Sequence, residues 1–295
     1  MSRMFDLLKP TLQPYMDQTT PYEVADYIII GAPMDITASY RGGTDKAPDS
    51  IRSESTFLES FSPRTSMDLN DISICDLGDI RGGETYEDWI RAIETTLSQV
   101  VENGKTPILI GGEHSITHGA IRALKPDLVV SFDAHMDLRD DLFNERLCHA
   151  TFMRRAVEEH DFKLIIIGCR ALSREEIEYV NTHSDRISYV SAREIYLKGV
   201  EPAVDSIKKI WEESTSVYIS VDMDVLDPVH APAVGNPSPE GLTITHILDI
   251  ANEVTDKKLQ GFDVNEVSPS YDTGLTSIQA AYLLLELMYS RERAV

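Results

Sequence analysis

Apolar residues in this chain gather into short, nearly unbroken runs. They occur at 26–31 (DYIIIG), 71–76, 106–110 (TPILI), 127–132 (DLVVSF), 163–168 (KLIIIG), 186–190, 216–221 (SVYISV) and 260–264. Continuous apolarity, as opposed to strict alternation, predicts strands buried on both faces, as in a parallel sheet. Between the runs lie segments with amphipathic helical patterning: 47–58, 85–103, 115–124, 148–160, 173–182, 191–213, 243–256 and 276–291. Strand–helix alternation of this kind predicts βαβ units and an α/β fold around a mainly parallel, eight-stranded sheet. No fixed-period repeat or low-complexity linker breaks the pattern, so one domain over residues 1–295 is expected.

With 295 residues, 42% of them hydrophobic, the chain can bury a large core. Acidic residues outnumber basic ones 49 to 27, giving a net charge of -22. Such a surface repels phosphate backbones and anionic lipid, so nucleic acid and membranes are not expected partners, while small cations are favoured. Cys75, Cys148 and Cys169 form a sparse, odd set without CxxC spacing, which points to reduced thiols in a cytoplasmic protein. No stretch approaches the roughly 20 apolar residues that span a bilayer. The opening MSRMFDLLKPTLQPYMD carries acids early and no long apolar segment, so a secretory signal is not expected.

The chemistry sits where strands end. Asp133-Ala134-His135-Met136-Asp137 follows one apolar run and Asp222-Met223-Asp224 another. Along a strand, residues two apart point the same way, so each group is expected to aim its side chains at one spot. Carboxylates gathered at a sheet end are costly unless a cation neutralises them. A third run leads into Gly111-Gly112-Glu113-His114-Ser115, where the glycines permit a tight turn and His114 is placed just before a helix. In open α/β sheets ligands bind beyond the carboxyl ends of the strands, where these residues fall. The candidate ligands are therefore His114, Asp133, His135, Asp137, Asp222 and Asp224. Asp227, before Pro228, reads as a turn residue. Four carboxylates and two imidazoles suit hard-to-borderline divalent ions such as Mn²⁺, and the oxygens suffice for two bridged ions. Two such ions generate a hydroxide at neutral pH, so metal-activated hydrolysis is expected.

GGEHS, DAHMD, SVDMDVLDP and DVNEVSP, in that order, closely resemble the ureohydrolases, the arginase and agmatinase family. The segment from Gly31-Ala32-Pro33 through Ser39-Tyr40-Arg41-Gly42-Gly43-Thr44 to Ile51-Arg52 resembles that family's entry segment. The resemblance runs from about residue 28 to about residue 290. It implies a three-layer α/β/α fold and a binuclear manganese centre. One ion would take His114, Asp133, Asp137 and Asp222, and the other His135, Asp133, Asp222 and Asp224. A hydroxide bridging the two would attack the guanidinium carbon, giving urea and an amine, with Asp137 carrying the proton. Glu266 matches the carboxylate that pairs with the substrate guanidinium, and His149 the family's proton-shuttling histidine. The resemblance also implies a homo-oligomer, trimer or hexamer.

The loop after DAHMD, Leu138 to Arg146, lacks the Asn and Ser pattern typical of arginases and is richer in acid. Together with the following CHATFMRRAVE it is more like agmatinases, so agmatine, a small cationic guanidine, is the expected substrate and putrescine and urea the products. Arg139 and Arg146 place positive charge in the same loop and keep guanidinobutyrate and formiminoglutamate open, with aminopropylagmatine and arginine as further alternatives. A mononuclear amide hydrolase or a non-catalytic binding relative fits less well, because all six ligands are present. His118 sits one helical turn after His114 and is a candidate supporting residue. His160, His183, His230 and His246 read as structural or solvated, and Cys148 is not expected to act as a nucleophile.

Overall fold

The computed structural model describes residues 5–293. Nine strands form one sheet among them: β1 (Leu8–Lys9), β2 (Tyr27–Ala32), β3 (Ile74–Ile80), β4 (Thr106–Gly111), β5 (Leu128–Phe132), β6 (Lys163–Cys169), β7 (Ile187–Ser191), β8 (Val217–Asp222) and β9 (Leu259–Asn265). Their order is β1-β3-β2-β4-β9-β8-β5-β6-β7. All eight expected strands form and run parallel. The ninth, β1, corrects the expected count. It is two residues long, antiparallel to β3, and too short to leave a periodicity in the sequence. A side chain on Gly78 would lie 2.1 Å from the Lys9 carbonyl oxygen, so that edge pairing requires glycine.

β3 runs from Ile74 to Ile80, not over 71–76, and so continues through Asp76 and Asp79. Buried Arg52 explains this, because Nε lies 2.8 Å from Asp76 and Nη1 lies 2.6 Å from Asp79. A charge-assisted fork makes these acids tolerable in a strand, a partnership invisible to local patterning.

The helices are α1 (Ala47–Ser55), α2 (Tyr86–Glu102), α3 (Ile116–Leu124), α4 (Phe152–Glu159), α5 (Arg174–Thr182), α6 (Ala192–Lys198), α7 (Glu201–Trp211), α8 (Ile244–Val254) and α9 (Leu275–Glu292). The helix expected over 191–213 is two, broken at Gly199, whose φ of 80° leaves the helical region. Pro202 then sits in the first turn of α7.

Alternate strand residues feed two separate cores. Ile29, Ile108, Ile110, Val130 and Ile165 pack with α1 and α6 to α9, while Ile28, Ile30, Leu109, Val129 and Ile166 pack with α2 to α5. This is the expected three-layer α/β/α arrangement. After β4 the chain crosses to β5, and β8 and β9 later fill the gap between them. The reversal opens crevices at the carboxyl ends of β4, β9, β8 and β5, four adjacent central strands.

Candidate active site

Each of those four strands delivers a functional side chain. At the end of β4 a side chain on Gly112 would lie 2.0 Å from the Met34 carbonyl oxygen, so only glycine lets the chain turn tightly there. That turn presents buried Glu113 and His114 ahead of α3.

The DAHMD and DMD segments converge by a different route from the one expected. β5 ends at Phe132, and Asp133 to Asp137 form an irregular loop instead of a strand extension. Asp133 Oδ1 accepts from the His135 backbone N–H at 2.6 Å, and Asp137 adopts φ 55°. Likewise Asp222 closes β8 while Asp224 lies in the 3₁₀ turn Met223–Val225, its N–H donating to Asp222 Oδ1 at 2.8 Å. Strand alternation therefore does not aim these groups. Loop hydrogen bonds and one left-handed residue do.

The result is two clusters of potential ligand atoms with Asp133 in both: His114, Asp133 and Asp137, and Asp133, His135 and Asp224. His114 Nδ1 lies 3.2 Å from Asp133 Oδ2, 3.1 Å from Asp137 Oδ2 and 3.4 Å from Asp222 Oδ2. His135 Nδ1 lies 3.0 Å from Asp224 Oδ2 and 3.6 Å from Asp133 Oδ1. Donors around an octahedral ion at about 2.1 Å stand about 3 Å from each other, the spacing seen here. Buried His114 Nδ1 makes no hydrogen bond despite its three carboxylate neighbours. The other ring nitrogen is 2.9 Å from Ser220 Oγ, which donates onward to Asp263 at 2.6 Å. Ser220 thus accepts from Nε2–H, so in the neutral imidazole the Nδ1 lone pair faces acid oxygens. A lone pair and three carboxylates pointed at one space repel one another, and a cation removes that repulsion. The donor set fits a metal.

With protons as the only counterions, the cluster holds them tightly. Burial opposes charge on His135, but Asp224 and Asp133 outweigh it and raise the imidazole to about 12. His114 is raised for the same reason, burial being overcome by Asp133, Asp137 and Asp222. Burial and then the Asp133 charge lift Asp137 to about 7. Because the histidine pKa values are raised, protons bound at neutral pH must leave before Nδ1 can donate. Divalent-cation affinity of chelator-treated protein is therefore expected to rise with pH, about tenfold per unit for each proton displaced. Calorimetric titration in buffers of different ionisation enthalpy counts those protons. Binding without proton release between about pH 6 and pH 8 would contradict the ligand set.

Glu266 stands just past β9 at φ 64°, a left-handed turn, and Oε1 accepts from the His114 backbone N–H at 2.7 Å. Burial outweighs that bond and raises its carboxyl to about 8. Gly235 leaves room for it, since a side chain there would meet Oε2 at 2.8 Å. His149 precedes α4 and is not in its first turn. Both ring nitrogens meet hydroxyls, Nδ1 at 3.3 Å from Thr37 and Nε2 at 3.1 Å from Ser39, and burial pushes its pKa down. A cavity of about 170 Å³ is lined by His114, His135, Asp137, His149, Asp222, Asp224 and Glu266, with Ser39, Arg139, Leu142, Ala150 and Asn236.

Sequence reading overlooked several supporting groups. Asp263 accepts from Thr117, Tyr218, Ser220 and Asn265 behind His114. Glu113 accepts from Ile36 N, Thr37 N and the Thr37 hydroxyl, holding the loop that meets His149. Both acids lie beside recognised motif residues, and burial was the missing cue. His118 faces elsewhere: it bonds Tyr86 and Glu159, tying α3 to α2 and α4. Cys148 is buried with a raised pKa, which argues against a nucleophile.

The chain matches the arginase family over residues 25–290. It is 35% identical to an agmatinase of Pyrococcus horikoshii over 285 residues, covering 96% of this chain and 95% of that one. A guanidinobutyrase of Pseudomonas aeruginosa is 32% identical, with 93% and 89% of the two chains covered. The crystal structure of agmatine ureohydrolase of Thermoplasma volcanium superposes with a TM-score of 0.88 at 40% identity, covering 96% and 95%. By motif, fold and similarity along nearly its whole length, this chain belongs to the arginase family of hydrolases.

Proposed function

We propose that this protein hydrolyses the guanidinium group of agmatine, releasing putrescine and urea. The observation that carries the reading is a pair of ligand clusters that share Asp133 and whose other members line one cavity with Glu266. His114, Asp133, His135, Asp137, Asp222 and Asp224 would hold two divalent cations such as Mn²⁺, which would supply a hydroxide nucleophile at neutral pH. The residues do the rest. Glu266, ionised in the complex with a cation, holds the planar guanidinium and presents its carbon to the attacking oxygen. As the bond between that carbon and the alkyl nitrogen breaks, Asp137 would pass a proton from the attacking water to the departing amine. Asp137 reaches this position from the loop after β5 at φ 55°, with Oδ2 3.1 Å from His114 Nδ1. His149, neutral and flanked by two hydroxyls, relays protons between the cavity and its mouth.

Agmatine is favoured by the similarity to an agmatinase and an agmatine ureohydrolase. One observation favours a second substrate class. Arg139 lines the cavity, and among the described residues its guanidinium has no carboxylate partner, whereas Arg146, Arg154 and Arg155 all pair with Asp140. A free cation there suits a guanidino acid such as guanidinobutyrate. Urea release from manganese-loaded enzyme across agmatine, aminopropylagmatine, guanidinobutyrate and arginine decides between them. Agmatine is expected to show the highest kcat/KM, and a guanidino acid ahead of it would transfer the assignment to that class.

A further inference from the structure

Arg170 follows β6 directly and carries none of the ligand chemistry, yet its guanidinium reaches under the loops that do. Nη2 donates to the carbonyl oxygens of Asp224 at 2.8 Å, Ser238 at 2.8 Å and Leu226 at 3.2 Å. Nη1 donates to Val225 at 3.1 Å and Gly168 at 3.3 Å, and Nε to Pro239 at 2.9 Å. All six acceptors are backbone carbonyls, so the five N–H groups of the guanidinium are fully used. The backbone N–H groups of Arg170 and Ala171 both bind the Ala134 carbonyl, inside the loop that carries Asp133 and His135. One residue thus joins three segments: the Asp133–Asp137 loop, the turn that carries Asp224, and the 235–241 stretch that brings Asn236 to the cavity wall.

We propose that Arg170 is a positioning residue that presets the Asp133–His135–Asp224 cluster by clamping the turn at Met223–Val225 to the neighbouring loops. The argument is one of charge and of geometry. Asp133, Asp222 and Asp224 are all buried, and repulsion among their like charges works against holding the DMD turn in place. A fixed cation beneath the turn opposes it without occupying a ligand position. Its carbonyl bonds act on the backbone and leave the carboxylate oxygens free for a metal. Gly241 packs against the clamp so closely that a side chain there would meet Arg170 Nη2 at 2.6 Å and Asp227 N at 2.4 Å. The His114–Asp133–Asp137 cluster is instead braced from the other side, through Ser220 and Asp263. The clusters share Asp133, but of the ligand-bearing segments the Arg170 guanidinium touches only the turn that carries Asp224, so a side-chain substitution acts on the His135–Asp224 side.

Arg170→Lys separates charge from geometry, since an ammonium keeps the cation but not the planar fork. Hydrogen exchange of the chelator-treated protein reads the clamp without any metal. The variant is expected to exchange about tenfold or more faster over 222–227 and 236–242, with 112–118 unchanged. Titration with Mn²⁺ then reads the consequence: of two binding classes, one weakens about 10- to 100-fold and the other holds. Uniform acceleration across the chain, or none, would overturn the proposal, as would equal weakening of both classes. If Arg170→Lys does not fold, Arg170→Gln is read in the same way, and failure of both to fold would assign Arg170 to the fold and overturn the positioning role. The metal readout rests on the two-cation reading above. Parental protein that binds one class refutes that reading by itself, while the exchange data still decide the clamp.

Discussion

Asp133→Asn is expected to abolish hydrolysis, lowering kcat/KM by about a thousandfold or more, equivalent to roughly 4 kcal/mol of transition-state stabilisation. Asp133 belongs to both ligand clusters, one oxygen 3.2 Å from His114 Nδ1 and the other 3.6 Å from His135 Nδ1. Asparagine keeps the shape and removes the charge, so the loss reports on cation binding more than on packing. Both clusters lose the charged donor they share, and bound metal is expected to drop from two per chain towards none. Elemental analysis of purified variant, urea assay and circular dichroism together check this. A variant that retains two ions and near-parental turnover would dismantle the shared-ligand reading.

Asp137→Asn is expected to lower kcat by about a hundredfold or more, the scale of a lost acid–base contribution, with a smaller effect on KM. Unlike Asp133, Asp137 contacts only the His114 cluster, so the cation bound through Asp133, His135 and Asp224 should remain. Turnover unchanged in the variant would remove Asp137 as proton carrier. Loss of both cations, matching Asp133→Asn, would make it a ligand for the whole centre instead.

These expectations concern residues visible in the sequence, but the reasons they act together were not. The eight parallel strands were legible because burial on both faces demands unbroken apolarity. Where an element contained polar residues, local pattern failed: β3 runs through Asp76 and Asp79 because Arg52, distant in sequence, neutralises them. The break at Gly199 was hidden because apolar periodicity resumes after it. In the site, DxHxD and DxD spacing pointed to convergence for a reason the fold does not use. Apart from Asp222, which closes β8, the groups lie past the strand ends, and Asp137 adopts φ 55°.

The sequence alone determined which donor groups the chain carries, because carboxylates and imidazoles after apolar runs announce a sheet with potential metal ligands at its end. It also sufficed to place the chain among the arginase-family hydrolases. The tertiary structure decided how those groups meet. It made Asp133 common to both clusters, set His114 by a hydroxyl and a buried acid, and put Arg139 at the cavity wall while Arg146 pairs elsewhere. Ligand type is a property of single residues, whereas shared donors, proton placement and a guanidinium under three loops depend on distances between segments far apart in the chain.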